Sequence, residues 1–417
     1  MSRKTGSAPL ARHGHLRSPR PIAQIATIVG VVLGVVVLGL AGTAAFALWS
    51  TASTVADNAV TLESAKPLPP SIGEIEGGVN LLLVGTDSCQ GQDLKLFPRC
   101  RHDDGGERND VTMLVHIGDN PRRVTVVSFP RDMIVPIPSC PAPGGGRYSA
   151  MSAQMLNVSY SYGGLACTAL TIQELTGVDI QFAAAIRWTG VIHMSDAIGG
   201  VDVCVAGDIN DRNTGLHLKK GEHTLVGAQA LQFLRIRHGI GDGSDLGRIS
   251  NQQQFMSSLV RKLQSGGVLS DPTKLFSLAT TAVQQVSEKQ LVLDQNLANP
   301  TRMVQIAMAM KSVPYKDIVF LQYPTQYDAA NDNRVLPVRS QAEVLFTALK
   351  ENKPLRLTGK ASSGSGVEVT GEVGATPSPT GTPGPTATAP ADLGAVDLPA
   401  GISGTTAAQV TCTQPQR

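Results

Sequence analysis

The sequence predicts an α/β protein: one extracytoplasmic α/β/α domain with a mixed central sheet, preceded by an N-terminal transmembrane helix and followed by a disordered C-terminal tail. Three observations predict this arrangement. No charged residue occurs from Pro21 to Ala56. Strand-like and helix-like segments alternate between residues 78 and 360. From residue 361 to residue 417 Pro, Thr, Ser, Ala and Gly predominate and no aromatic residue occurs, a composition that cannot bury a core. Gly401–Cys412 is the exception left open, because a disulfide at Cys412 would tether it.

The uncharged run predicts a single membrane span. At about 1.5 Å per residue, a helix of this length covers the roughly 30 Å hydrocarbon core. The residues before it include several arginines and no acid, and Asp57 follows it, so we expect a cytoplasmic N-terminus and an extracytoplasmic remainder in the cell membrane. A cleaved signal peptide is the alternative, because Ala45-Phe46-Ala47 resembles a cleavage site. Its apolar core would exceed the usual length of roughly 7 to 15 residues.

These patterns divide the chain into five predicted segments: a basic cytoplasmic stub (1–22), a transmembrane helix (23–49), a juxtamembrane stalk (50–77), the globular domain (78–360) and the low-complexity tail (361–417). The formal net charge of the whole chain is only +2. Beyond the stub, acidic residues slightly outnumber basic ones, so the chain has no general attraction to polyanions. Nucleic acid is therefore not an expected partner.

All six cysteines follow the predicted anchor, and an even number in an exported segment favours disulfides over free thiols. Sequence alone cannot choose among the many connectivities of six cysteines. We favour two pairs and leave the third as the remainder: Cys89–Cys100, Cys140–Cys167, and then Cys204–Cys412.

Three short strands open the globular domain, at residues 80–84, 111–117 and 123–128. The Gly118–Pro121 turn joins the second strand to the third. If the strands pair in sequence as an antiparallel meander, the end of the first, the start of the second and the end of the third share one sheet edge. That edge would gather five charged residues: Asp87, Arg108, Asp110, Arg131 and Asp132.

Further arginines follow in the second half of the domain. A helix-like run from Leu225 to Phe233 leads to Arg235 and Arg237. A second helix is predicted to begin at Arg248, with Gln252 one turn later. An arginine in the first turn of a helix opposes the usual preference for acids there, which suggests that it faces an anion.

The residue types at this edge predict a pyrophosphate site. Two neighbouring carboxylates, Asp87 and Asp110, suit a hard cation such as Mg²⁺ (or Mn²⁺). Converging arginines supply paired donors to phosphoryl oxygens and stabilise charge that develops in phosphoryl transfer. For any one residue, an ordinary surface ion pair is an equally good explanation, but surface pairs have no reason to recur at strand ends and a helix start.

The chain resembles the LytR-CpsA-Psr family of Gram-positive cell envelopes, and its tail resembles the extensions of actinobacterial members. The resemblance rests on these blocks: Asn80–Asp87, Arg108–Asp110, Val127–Asp132, Leu156–Gly164, Ile198–Val203, Leu225–Arg237, and Arg248 with Gln252. It implies a phosphotransferase that moves a glycopolymer from a polyprenyl pyrophosphate lipid onto the muramic acid hydroxyl of peptidoglycan, outside the membrane.

The resemblance also implies roles for single residues. Asp87 and Asp110 resemble the Mg²⁺ ligands, and Gln252 resembles a glutamine near the head group. Asp132 is a candidate proton acceptor. The phosphate-binding arginines would be Arg108, Arg131, Arg235, Arg237 and Arg248, with Arg108 and Arg131 also taking part in catalysis.

Two departures from the family pattern and two alternative functions accompany this interpretation. Cys89 stands where members often have an arginine, and Asn109 replaces a Ser or Thr. The same site without an acceptor would be a polyprenyl pyrophosphate phosphatase. A non-catalytic envelope-binding or regulatory protein is the other alternative, but it leaves the paired aspartates unexplained.

Overall fold

A computed structural model of the protein describes residues 53, 55–63, 68–69, 71, 78–102, 106–142, 144–265, 268, 271–374 and 394–416. Within these ranges no helix combines the length and the apolarity needed to cross a membrane. The predicted stub (1–22) and transmembrane helix (23–49) lie outside the described residues.

Strands and helices alternate through the described domain. The strands are β1 (Val79–Thr86), β2 (Asn109–Ile117), β3 (Val124–Phe129), β4 (Ile134–Ile137), β5 (Cys140–Pro141), β6 (Arg147–Tyr148), β7 (Met151–Met155), β8 (Phe182–Ile186), β9 (Val201–Val205), β10 (Ile209–Asp211), β11 (Leu216–Leu218), β12 (Gly221–Leu225), β13 (Leu291–Leu293), β14 (Ile318–Gln322), β15 (Thr325–Asp328), β16 (Asn331–Pro337), β17 (Leu355–Arg356), β18 (Val367–Glu372), β19 (Val396–Asp397), β20 (Gly404–Thr406) and β21 (Gln409–Thr413). The α-helices are α1 (Val158–Thr176), α2 (Trp188–Ala197), α3 (Gly227–Arg235), α4 (Asp245–Ser265), α5 (Pro272–Ser287), α6 (Pro300–Lys311) and α7 (Arg339–Lys350).

A seven-stranded mixed sheet in the order β13-β8-β1-β2-β3-β14-β20 forms the centre. The predicted meander is confirmed, because β1, β2 and β3 are antiparallel neighbours, with Val79 opposite Ile117 and Thr112 opposite Phe129. The strands β8 and β14 add in parallel to β1 and β3. The two parallel pairings make the sheet mixed, as expected.

Alternating side chains of the strands feed two hydrophobic cores, one on each face of the sheet. Leu82 and Leu114 belong to the core that α1 and α7 cover. Leu81 and Met113 belong to the core on the other face, which α5 and α6 cover. The predicted α/β/α layering is therefore confirmed, and each helical layer buries its apolar side against one face.

The prediction of a disordered tail is wrong for residues 361–374 and 394–416; residues 375–393 lie outside the described part of the chain. Strand β20 extends the central sheet beside β14, and β18 and β21 join a four-stranded sheet in the order β12-β9-β21-β18. Leu398 and Ile402 are fully buried in the first core. A composition poor in apolar residues still folds here, because existing strands and cores supply its partners.

Part of the predicted stalk also packs on the domain. Val55 and Leu62 are buried in the two cores. The amide of Val60 donates to the carbonyl of Leu293, at 2.8 Å. The domain therefore includes residues before Gly78, which the sequence assigned to the juxtamembrane stalk (50–77).

The six cysteines lie in the described part of the chain and form three disulfides. Cys89–Cys100 and Cys140–Cys167 are the two pairs favoured from the sequence, and Cys204–Cys412 is the pair that remained. Gly163 explains how the second pair fits. A Cβ at Gly163 would lie 2.7 Å from Cys167 Cβ and 3.0 Å from Cys140 Cβ. Its backbone and that of Gly164 leave helical geometry and kink α1 at this point.

Candidate active site

The ends of β1, β2 and β3 bring the predicted acidic and basic residues together. Asp87 follows β1, Asp110 is the second residue of β2, and Arg131 follows β3. A register shift between Gly85 and Thr86 leaves Thr86 opposite Asn109. The meander and this irregularity at its edge place three short chain segments around one centre.

Asp87 is held by the backbone of the Arg108 segment. The amide of Arg108 donates to Asp87 Oδ1 at 2.7 Å, and the amide of Asp87 donates to the Arg108 carbonyl at 3.1 Å. Burial and the neighbouring Asp110 charge raise the pKa of Asp87 above its ordinary value, against the lowering effect of these bonds. The two predicted carboxylates therefore repel each other in the absence of a cation.

Asp110 lies against two arginines from distant parts of the chain. Arg131 Nη1 donates to its Oδ1 at 2.6 Å, and Arg248 Nη2 donates to its backbone carbonyl at 3.0 Å. Burial alone would raise the pKa of Asp110, but the charges of Arg248, Arg131 and Arg235 hold it below its ordinary value. Asp110 is therefore ionised at neutral pH.

Asp245 is an acid at this centre that the sequence analysis missed. Its Oδ1 lies 2.6 Å from Arg248 Nη2 and 3.4 Å from Arg131 Nε, yet neither carboxylate oxygen has hydrogen-bond geometry. Helix α4 begins here rather than at Arg248, three residues later. The Asp-to-Arg spacing of three residues and the preference for acids in a first turn could have identified it.

Asp132 completes the charged cluster. Its Oδ2 lies 3.5 Å from Arg131 Nε. Burial and the nearby Asp245 raise the pKa of Asp132, although Arg131, Arg248 and Arg237 act in the opposite direction. A carboxylate with a raised pKa in a cluster of arginines is suited to accept a proton.

The three remaining predicted residues surround this centre at different depths. Arg235 Cζ lies 4.1 Å from the ring centre of Trp188. Arg237 Nε donates to the Gly243 carbonyl at 3.4 Å. Gln252 is buried, and its amide nitrogen donates to the Leu234 carbonyl at 2.9 Å. Gln252 thus stabilises the end of α3, whose last residue is Arg235.

Two supports of the site gave no recognised signal in the sequence. Trp188 contacts both Arg235 and Phe97, and its ring centre lies 4.8 Å from that of Phe97. Arg187 binds Glu107 through two hydrogen bonds, of 2.9 and 2.7 Å. Both contacts join residues far apart in sequence, so only the folded chain reveals them.

A metal ion at this site would depend on two carboxylates. No group of three or more His, Cys, Asp or Glu among the described residues could hold a metal ion. Asp87 and Asp110 are close enough for their charges to interact. Two carboxylates fit an ion such as Mg²⁺, which commonly keeps several waters and takes further oxygens from substrate phosphates.

The sequence of this chain is similar to a known protein family and to cell wall biosynthesis proteins. A family model described as "LytR_cpsA_psr family" matches residues 45–351. From Corynebacterium glutamicum, "Probable cell wall biosynthesis protein LcpB" is 30% identical, over 77% of this chain and 71% of that protein. "Cell wall biosynthesis protein LcpA" from the same organism is 28% identical, over 62% of this chain and 52% of that protein. The match thus spans about half the length of LcpA.

A relative from Bacillus mycoides is "Polyisoprenyl-teichoic acid--peptidoglycan teichoic acid transferase TagU", 30% identical over 52% of this chain and 62% of that protein. Among solved structures, "LytR-Csp2A-Psr enzyme from Actinomyces oris" has a TM-score of 0.50 at 22% identity and covers 70% of this chain and 95% of its own. "TagT bound to LIIa-WTA" has a TM-score of 0.51 at 19% identity, covering 70% and 98% respectively. At these identities the two structures establish the shared fold.

Proposed function

Because the chain belongs to the LytR-CpsA-Psr family, we propose that it is a phosphotransferase that attaches a cell-wall glycopolymer to peptidoglycan. The donor is the glycopolymer on a polyprenyl pyrophosphate carrier, and the acceptor is the muramic acid hydroxyl. The similarity to LcpB, named as a probable cell wall biosynthesis protein, and to TagU, named as a teichoic acid transferase, supports this class of reaction.

The observation that carries the proposal is the convergence of two acids, Asp87 and Asp110, and two arginines, Arg131 and Arg248, from four segments of the chain. Arg131 donates a hydrogen bond to Asp110. Arg248 donates one to the Asp110 carbonyl and forms an ion pair with Asp245. Guanidinium groups held in this way need no reorganisation to receive phosphoryl oxygens. A purely structural ion-pair network would not need two neighbouring carboxylates whose charges repel.

In the proposed reaction the muramic acid oxygen forms a bond to the phosphorus that carries the glycopolymer. The bond from that phosphorus to the bridging oxygen breaks, and polyprenyl phosphate leaves with the electron pair. Arg131, Arg108 and Arg248 stabilise the charge on the phosphoryl oxygens. The hydroxyl proton passes to Asp132, whose raised pKa supports this role.

Mg²⁺ is the proposed cofactor, with Mn²⁺ as a substitute, and Asp87 and Asp110 would hold it. When bound, the ion supplies positive charge that neutralises the pyrophosphate. The raised pKa of Asp87 beside Asp110 supports this assignment, because a cation between the two would relieve their repulsion.

The proposal includes a single-pass location in the cell membrane, with the N-terminus in the cytoplasm and the domain outside. The uncharged run from Pro21 to Ala56 and the basic residues before it support this topology. An anchor of this kind would keep the site close to a donor whose prenyl chain also lies in the membrane.

The test is polyprenyl phosphate release from a polyprenyl pyrophosphate glycan by the full chain in detergent, with and without Mg²⁺ and peptidoglycan. We expect Asp87→Ala and Arg131→Ala to lower the rate about 10²-fold or more, since each removes a contact to the metal or the reacting phosphate. Release that survives in both variants overturns the site. Release without labelling of added peptidoglycan would identify a phosphatase instead, and no release at all would favour a non-catalytic envelope protein.

A further inference from the structure

Loop 236–244 connects α3 to α4 and carries Arg237. Two isoleucines of this loop, Ile236 and Ile240, are fully buried in the core beneath the four-stranded sheet. The rest of the loop contains three glycines, and two of its side chains bond within the loop: Arg237 Nε donates to the Gly243 carbonyl, and Asp242 Oδ1 accepts from the Ser244 amide. Its conformation also depends on what its backbone bonds to.

Segment 404–416, which includes β20 and β21, bonds to the backbone of that loop. The amide of Gly239 donates to Gln416 Oε1 at 2.8 Å, and the amide of Gln416 donates to the Gly239 carbonyl at 2.9 Å. The amide of Gly241 donates to the Gln414 carbonyl at 3.0 Å. These contacts form an antiparallel bridge between Ile240 and Pro415.

The same segment binds buried amide side chains of α4. Gln254 Nε2 donates to the Thr411 carbonyl at 2.7 Å, and Thr413 Oγ1 donates to Asn251 Oδ1 at 2.6 Å. Asn251 lies one turn after Arg248 on α4. Buried polar groups of this kind are costly to leave unpaired, so the segment and the helix hold each other in register.

The segment pairs with three strands of the domain, because β20 lies beside β14 and β21 lies between β18 and β9. Strand β21 pairs with β9 at only two positions, Cys412 with Cys204 and Thr413 with Val205. The Cys204–Cys412 disulfide crosses the first of these pairs. Gln254 Nε2 also donates to the Cys204 carbonyl at 2.7 Å, so one side chain joins both strands to α4.

We infer that segment 404–416 is a positioning element of the active site, and that Gln416 is the residue through which it holds Arg237. It lies beyond residue 351, where the match to the family model ends. The segment acts through loop 236–244 and through α4, which carry Arg237 and Arg248. This inference rests on the proposed pyrophosphate site.

The test compares three variants of the full chain: Gln416→Ala, Gln416→Glu and Gln409→Ala. Gln416→Glu keeps an oxygen that accepts from Gly239. Gln409 is the first residue of β21, in the same segment, and its side chain accepts from the Thr406 amide rather than from the loop. The first measurement is the dissociation constant for geranyl pyrophosphate, a soluble prenyl pyrophosphate. The second is hydrogen exchange of the Gly239 and Gly241 amides, and the third is the thermal midpoint.

We expect Gln416→Ala to weaken binding about five- to tenfold, the effect of one hydrogen bond, with faster exchange at Gly239 and an unchanged midpoint. Gln416→Glu restores both binding and protection, and Gln409→Ala changes neither. Unchanged binding in Gln416→Ala, while the wild type binds, overturns this inference alone. An equal loss in Gln409→Ala also overturns it, because the effect would then not depend on the loop. A wild type that does not bind geranyl pyrophosphate overturns the proposed function and this inference with it.

Discussion

Arg131 Nη1 donates a hydrogen bond of 2.6 Å to Asp110 Oδ1, at the edge where β2 begins and β3 ends. Both side chains are about four-fifths buried, so solvent screens the pair only in part. The guanidinium assigned to phosphate thus also keeps the carboxylate assigned to the metal ionised. In the proposed site, the binding of metal and the binding of phosphate would be coupled through this contact.

Arg131→Lys should lower the rate of polyprenyl phosphate release about 10²-fold. A lysine ammonium cannot contact Asp110, Asp132, Asp245 and a phosphoryl oxygen with the flat, forked geometry of a guanidinium. The measurement is the release rate at saturating donor. Arg356→Lys is the matched control, because Arg356 forms an exposed ion pair with Asp397 at 2.8 Å and should keep the full rate. A normal rate in Arg131→Lys would mean that one positive charge suffices.

Asp245→Asn should lower the free energy of unfolding by about 3 kcal/mol, because it removes the carboxylate that forms the ion pair with the buried Arg248 at 2.6 Å. Denaturant unfolding of the full chain measures this loss. Asp208→Asn removes the acid of a solvent-exposed pair with Lys219 and should leave the denaturation midpoint unchanged. If Asp245→Asn were as stable as the wild type, Arg248 would be neutralised by another group.

Removing either of two disulfides should lower stability, but only one of the two removals should also weaken substrate binding. Cys140→Ala with Cys167→Ala removes a buried crosslink 27 residues apart in sequence and should cost about 3.5 kcal/mol without changing the KM for the donor. Cys89→Ala with Cys100→Ala should cost about 2.8 kcal/mol and also raise that KM several-fold. The reason is that Cys89 and Cys100 pack with Phe97 and Trp188, and the Trp188 ring contacts Arg235. The measurements are the free energy of unfolding and the steady-state KM of both double variants. An equal KM in the two would contradict the prediction.

His116 should make the protein less stable as the pH falls from about 6.5 to about 4. Burial lowers the pKa of His116 from 6.5 to about 4, so in this window the unfolded chain takes up a proton that the folded chain does not. Stability is therefore present above pH 6.5 and is lost on acidification, by about 3 kcal/mol for this group.

His116→Gln should remove that part of the pH dependence, while still allowing a donor to Asn80 Oδ1, which lies 2.9 Å from His116 Nδ1. The measurement is the free energy of unfolding at pH values from 4 to 7. The exposed His217 is the control, and His217→Gln should follow the wild-type curve. A His116→Gln curve parallel to the wild type would show that His116 protonates without loss of the fold.

Local patterns in the sequence determined the sheet edge and most of the site. The apolar runs of β1, β2 and β3 and the short turn between the last two leave an antiparallel meander as the simplest pairing. An antiparallel meander necessarily returns to the same edge, so the positions of Asp87, Asp110 and Arg131 followed from strand order alone. The later arginines could be recognised because they lie near the ends of helices with a clear apolar period. Arg235 and Arg237 lie at and just after the end of α3, and Arg248 lies in the first turn of α4.

Only the tertiary structure showed that Asp245 belongs to the charged cluster and that described residues after 360 fold onto the domain. Asp245 belongs to the site because its carboxylate lies 3.4 Å from Arg131 Nε. Arg131 is more than a hundred residues away in the sequence, and no local pattern predicts this contact. The last strands lack a strong apolar pattern, and they fold because β14, β9 and Cys204 offer them hydrogen bonds, buried contacts and a covalent link. Composition measures what a segment can bury by itself, whereas a docked strand is stabilised by a partner that is already folded.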